Sequence, residues 1–145
     1  MNELIKLIKE ARFIWICGNG GSASTAEHFS NDLFKKSYPA ICLNSNVSIM
    51  TMVSNDYDYQ YIFMKQLQAY AKPDDLLITI SCSGTSKNIV NAIDYAKYIG
   101  MNIYSFETFS IDSRAKEPTF EDLTPDYGKL ENKHLTFVHK IAKEL

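Results

Sequence analysis

The sequence predicts an α/β fold, a three-layer α/β/α sandwich around a central parallel sheet. Three observations predict it. Short apolar runs alternate with amphipathic helical stretches along the chain, which is the pattern of βα units. The runs are apolar throughout rather than alternating, as in Asp75 to Ser81 (DLLITIS), and that suits strands covered on both faces. Two of them end in Gly- or Ser-rich turns that lead directly into a helix; right-handed crossovers then lay helices on both sides of the sheet.

Each element follows from its residues. From Asn2 to Ala11, Leu4, Ile5, Leu7, Ile8 and Ala11 fall on one helical face. Arg12 to Cys17 is a β-rich apolar run that stops at Gly18. After a Gly-rich turn, a helical pattern runs from Ser22 to about Lys36, and Ala40 to Leu43 is a second short strand. Val47 to Val53 reads as a helix against the drag of its β-branched residues. Tyr57 to Ala71 reads as one continuous helix, stopped by Pro73. Asp75 to Ser81 is the third strand, and Ser86 to Ile99 is a helix that Gly100 ends. Met101 to Phe106 is a fourth strand, and Lys129 to Leu145 a last helix striped by Leu130, Phe137, Ile141 and Leu145. His134 falls within that stripe and reads as a packed core histidine. Thr108 to Asp126 has two prolines, many charges and no clear period. It reads as a poor edge strand near Thr119 to Leu123 or as an active-site loop.

Composition sets outer bounds. At 145 residues with 46% hydrophobic content, the chain suits one domain spanning residues 1–145. A net charge of −2 argues against a nucleic-acid surface built on bulk basicity. No apolar run is long enough to span a bilayer, and the first residues lack the order of a signal peptide. Cys17, Cys42 and Cys82 are far apart without metal-ligand spacing, as expected of reduced thiols in a cytoplasmic protein.

Two turns carry the chemistry. Gly18-Asn19-Gly20-Gly21-Ser22-Ala23-Ser24 follows the first strand. Its glycines allow close backbone approach, and the helix start behind it favours an anion. Ser81-Cys82-Ser83-Gly84-Thr85-Ser86 follows the third strand and offers hydroxyls and backbone N–H groups at another helix start. Singly, such serines can be helix caps and such glycines simple turns. Both together, each at a strand's carboxyl end, point to a bound phosphate. Neither turn is a Gly-Lys-Ser/Thr P-loop or the G-x-G-x-x-G dinucleotide pattern.

His28 and Asp32 lie one turn apart on a helix whose apolar members, Ala26, Phe29 and Leu33, point elsewhere. Their face therefore meets a cleft, solvent or another subunit. Glu131 and His139 flank the apolar stripe of the last helix, about two turns apart. Two imidazoles and two carboxylates can bind zinc or do acid–base work; taken as isolated pairs they also suit solvated helix faces.

The two turns, His28-Phe29 with Asp32-Leu33, and Asn55-Asp56 together resemble the sugar isomerase (SIS) domain family, a flavodoxin- or Rossmann-like fold. Their order and spacing resemble its phosphoheptose isomerase branch from about Met1 to Phe106 and again from Glu131 to His139. The resemblance implies an aldose–ketose isomerase that converts sedoheptulose 7-phosphate through an enediol for bacterial surface polysaccharides. It implies Asp32 as catalytic carboxylate and His139 as catalytic histidine. Substrate and phosphate would be held by Asn19, Gly20, Gly21, Ser22, Asp56, Ser81, Cys82, Ser83, Ser86 and Glu131. Some members carry zinc, one per site, and His28, Asp32, Glu131 and His139 match those ligands. An isomerase of another ketose phosphate, or a non-catalytic SIS module that senses a phosphosugar or binds a protein, stands as the alternative.

This chain departs from the family pattern at four places. Asp32 replaces a glutamate, which shortens its reach by about 1.5 Å. Glu131 stands where glutamine is usual and adds a charge that favours a metal, while Cys82 replaces a threonine. The family's extension before the first strand is mostly absent, and Thr108 to Gly128 matches its counterpart poorly. The expected assembly is a homo-oligomer, dimer or tetramer, with sites shared across subunits.

Overall fold

The computed structural model describes residues 1–106 and 126–145. Its elements are α1 (Asn2–Glu10), β1 (Ile14–Gly18), α2 (Gly21–Lys35), β2 (Ala40–Cys42), α3 (Val47–Asp56), α4 (Ile62–Tyr70), β3 (Leu76–Ile80), α5 (Lys87–Ile99), β4 (Asn102–Ser105) and α6 (Tyr127–Glu144). All four strands pair in parallel in the order β2-β1-β3-β4. Every residue of β1 and β3 is buried, whereas β2 and β4 are partly exposed at the edges, so the continuously apolar runs are the central strands.

Alternation along those strands divides the core in two. Ile14, Ile16, Leu76, Ile78 and Ile80 pack with Leu4 and Ile8 of α1, Phe29 and Leu33 of α2, and Val138 and Ile141 of α6. Trp15, Cys17 and Leu77 point the other way, onto Val53 of α3, Phe63 and Leu67 of α4, and Ile89, Ala92 and Ala96 of α5. Helices α1, α2 and α6 thus cover one face and α3, α4 and α5 the other, as the α/β/α expectation requires. No helix among the described residues is long and apolar enough to cross a membrane.

Two elements differ from the sequence expectation. Tyr57 to Ala71 is not one helix: α3 runs on to Asp56, a 3-10 turn covers Tyr59–Tyr61, and α4 starts at Ile62. The break has a local cause. Val53 O accepts from both Tyr57 N and Asp58 N, and the Asp58 side chain restarts the chain by accepting from Gln60 N at 2.9 Å. In α6 the buried stripe is Leu130, His134, Val138 and Ile141, with Phe137 and Leu145 only partly covered. The edge strand expected near Thr119 to Leu123 lies outside the described residues.

The amino end of the sheet is closed by one buried carboxylate. Asp75, fully buried, accepts from Trp15 Nε1 at 2.9 Å and Lys72 N at 2.9 Å and pairs with the Arg12 guanidinium at 2.8 Å. It ties β1, the turn before β3 and the chain entering the sheet at a single point. Asp75→Ala leaves an indole N–H and a backbone N–H without their acceptor and is expected to cost about 2–4 kcal/mol. Urea unfolding measures this; a loss below the scatter of the midpoint would contradict the anchoring role.

Candidate active site

β1 and β3 are neighbours whose register pairs Gly18 with Ile80. Their carboxyl ends stand side by side where the strand order diverges, β2 to one side and β3-β4 to the other. Open parallel sheets bind ligands at such a point. The two turns singled out by the sequence leave from these two strand ends, and Ser22 Oγ lies 3.8 Å from Cys82 Sγ across them.

The turns are built to leave donors available. Gly20 precedes α2 at φ +57° and ψ −126°, a conformation for which glycine is needed. It caps α2 with no side chain, and Ser86 precedes α5 without a side-chain cap bond either. Within the first turns Ser22 N, Ala23 N and Ile89 N already bond to the carbonyls of Asn19, Gly20 and Ser86, so it is the remaining first-turn N–H groups and the helix-start dipoles that would favour an anion. Ser81 Oγ accepts from Gly84 N at 3.0 Å and Ser83 Oγ from Thr85 N at 3.3 Å. Each hydroxyl shapes the turn as an acceptor and keeps its O–H to donate. Burial, opposed by the Ser22 hydroxyl and reinforced by the Glu131 charge, raises the Cys82 pKa, so Cys82 is a neutral thiol. Burial likewise pushes Cys42 up to about 11, and none of the three cysteines is paired.

Sequence reasoning missed two asparagines that fix these turns. Asn44, just after β2, accepts from Gly18 N at 3.2 Å and donates to Gly18 O at 2.9 Å. Asn88, buried in the first turn of α5, pairs with the side chain of Asn19. Their signal was position: a polar amide directly after a strand or at a helix start. Asp56, assigned to sugar hydroxyls, is exposed at the end of α3 and accepts from Asn55 Nδ2 at 2.8 Å.

The other candidates lie along the seam where α6 packs on α2. The two helices run in the same direction. At one end the Glu131 carboxylate rests against Gly21, where any Cβ would collide with it. Some seven residues further along α2, His28 meets His139: their Nε2 atoms are 2.8 Å apart, and His28 Nε2 is 3.3 Å from Asp32 Oδ2. Asp32 is also 3.9 Å from Lys35 Nζ. The face of His28 and Asp32 is thus met by the chain's own last helix.

His28, Asp32 and His139 each offer one donor atom, all within 4.8 Å of one another. Two imidazoles and a carboxylate in that spacing fit a zinc ion that keeps a fourth position open. Glu131 is not part of this group; the structure sets it at the other end of the seam, against Gly21 and near Cys82. Two surface concavities, of about 540 Å³ beside β4 and α6 and about 690 Å³ along β2, touch neither turn.

The position of Glu131 can be read without any ligand. Gly21→Ala displaces only the end of a flexible side chain, so stability should stay within about 1 kcal/mol of wild type. The displaced carboxylate no longer raises the Cys82 pKa, so the thiol should react with iodoacetamide at lower pH, as it should in Glu131→Gln. An unchanged pH profile in both variants would contradict the placement.

Comparison with known proteins agrees with this geometry. The sequence profile of the SIS domain matches residues 2–107. The phosphoheptose isomerase of Campylobacter concisus is 33% identical over 144 residues, covering 94% of this chain and 76% of the relative. That of Helicobacter pylori (strain HPAG1) is 36% identical over 148 residues, covering 93% and 74%. The solved phosphoheptose isomerase structure from Neisseria gonorrhoeae superposes with a TM-score of 0.82 at 25% identity, covering 98% of this chain and 80% of that one. The one from Francisella tularensis gives 0.80 at 27%, covering 98% and 82%. The chain belongs to the SIS domain family and, within it, to the phosphoheptose isomerases.

Proposed function

We propose that the chain converts sedoheptulose 7-phosphate to the heptose 7-phosphate through an enediol. Family membership makes it an aldose–ketose isomerase of phosphosugars. The observation that carries the substrate is the length of the α2 seam. The phosphate sits at the start of α2 and α5, on Ser22, Ser81, Ser83 and Ser86, with Asn19, Gly20, Gly21, Cys82 and Asp56 around the sugar. Seven residues of helix separate Gly21 from His28, about 10 Å, and an extended seven-carbon chain with a terminal phosphate is about as long. A sugar held by its phosphate at one end of the seam reaches the imidazoles and Asp32 at the other.

There, the Asp32 carboxylate moves a proton between C1 and C2, and His139 moves protons between the two oxygens. His28 lies between them, within hydrogen-bonding distance of His139 and close to Asp32, and orients both. Zinc held by His28, Asp32 and His139 would supply Lewis-acid chemistry on the sugar oxygens instead, because Asp32 and His139 as ligands would no longer be free to carry the protons. Glu131, outside that set, adds its charge beside the phosphate turns and so orders the sugar's hydroxyls. The side chain of His28 is 43% exposed, and we propose that a second copy closes the seam in a homo-oligomer. A cytoplasmic setting, with the product feeding surface polysaccharide synthesis, suits the three free thiols.

Incubation with sedoheptulose 7-phosphate and a panel of other ketose phosphates, followed by proton NMR, tests the proposal. Turnover is expected for the heptulose. It should fall at least about a hundredfold in Asp32→Asn and in His139→Ala with substrate binding retained. The double variant Ser83→Ala/Ser86→Ala should instead weaken binding. A chelator should leave this acid–base turnover intact; turnover abolished by a chelator and restored by zinc would show that His28, Asp32 and His139 act as ligands instead. Wild-type activity in Asp32→Asn, His28→Ala and His139→Ala, or sugar-phosphate binding with no turnover, would contradict an isomerase on this seam; the latter would favour a sensing module.

A further inference from the structure

Asn19 is held by three hydrogen bonds that fix which of its atoms faces which neighbour. The backbone N–H of Ile89 donates to Asn88 Oδ1 at 3.0 Å. A backbone N–H can only donate, so this contact identifies the carbonyl oxygen of Asn88. Asn88 Nδ2 then donates to Asn19 Oδ1 at 2.8 Å, and Asn19 Nδ2 donates back to Asn88 Oδ1 at 2.9 Å. The Tyr59 hydroxyl is 3.1 Å from the same Asn19 oxygen and donates to it. The 3-10 turn that carries Tyr59 is itself pinned to α5, because Asn91 Nδ2 donates to Gln60 O at 3.0 Å. Asn88 is 2% exposed, so its amide cannot exchange these partners for water.

With two donors on its oxygen, Asn19 has no acceptor left to offer. One N–H remains, with no partner among the described residues. In a ring of two paired amides it is the hydrogen turned away from Asn88. An asparagine can ordinarily serve a sugar hydroxyl as donor or acceptor; this one can only donate.

Given the isomerase proposed above, we propose that Asn88 and Tyr59 are positioning residues that hold Asn19 as a pure donor to an oxygen of the phosphosugar at the phosphate end of the seam. Donation to Asn19 Oδ1 polarises its amide and strengthens the remaining N–H. That N–H counts most toward an oxygen that carries negative charge, and the phosphate end of the seam is where the bound sugar carries it. Tyr59 and Asn88 therefore act on substrate affinity more than on the rate, although neither needs to touch the sugar.

The test is a double-mutant cycle on the full chain with sedoheptulose 7-phosphate. Tyr59 is exposed, and Tyr59→Phe removes a single hydroxyl. It should raise KM about fivefold with kcat within about twofold of wild type, and should have no further effect in Asn19→Ala. Asn88→Asp keeps the acceptor for Ile89 but turns an oxygen on Asn19 Oδ1, and should raise KM more than Tyr59→Phe does. The side-chain amide resonances of Asn19 in a ¹⁵N–¹H spectrum should shift in Tyr59→Phe whether or not substrate is present. Equal increases in KM in the wild-type and Asn19→Ala backgrounds, or unshifted Asn19 resonances, would overturn the positioning role. A wild-type chain that turns over no sugar phosphate would instead overturn the isomerase assignment and the substrate part of this proposal, while the amide spectrum would still decide the positioning part.

Discussion

The site depends on the pairing of β1 with β3. Gly18 opposite Ile80 sets the ends of two buried strands level, and two short turns and two helix starts then converge on one crevice. Shifting that register by one residue would turn every side chain of a central strand to the wrong layer of the core, so the apolar packing on both faces specifies the site geometry. The amide pairs of Asn44 with Gly18 and of Asn19 with Asn88 then lock the turns onto this frame. The frame itself is clamped at the opposite end of the strands by Asp75.

Helix α6 adds the second half of the site. Leu130, His134, Val138 and Ile141 dock it on the sheet, and that choice of buried stripe leaves Glu131 and His139 on the side facing α2. Because the two helices run in the same direction, Glu131 falls by Gly21 and His139 by His28. A carboxylate beside the two strand-end turns and a His28–Asp32–His139 cluster about two helical turns further along are thus products of one packing decision. The glycine at position 21 is what lets the helices come together there.

The layers, the strand and helix order and both turns were legible in the sequence, because each rests on local patterning: uninterrupted apolar runs, a 3.6-residue period, and Gly or Ser at strand ends. The break at Tyr57–Asp58 was not, because nothing in the apolar spacing registers a side chain such as Asp58 capturing a nearby N–H. The adjacency of β1 and β3 was also hidden, since strand order is set by long-range packing. Among the candidate residues, the fold brings His28, Asp32 and His139 together, but spacing along one helix could not separate Glu131 from them. That separation depends on how far each side chain reaches across the seam. The face of His28 and Asp32 was open to a cleft, solvent or a subunit, and it is met by α6, an element more than ninety residues downstream whose packing no local pattern reports. Asn88 carried a signal that went unused, a buried-side amide at the first turn of α5. Thr108 to Asp126, left open between a poor edge strand and an active-site loop, lies outside the described residues except for Asp126.

The central claim is that proton transfer at C1 and C2 of a phosphosugar occurs on this seam. The most direct measurement is incubation of the full chain with sedoheptulose 7-phosphate in D₂O, followed by NMR of the product. An enediol isomerase yields the aldose with solvent deuterium at C2, and Asp32→Asn removes the incorporation together with the product. No aldose, or aldose formed with its hydrogen wholly retained and no deuterium at C2, would contradict it.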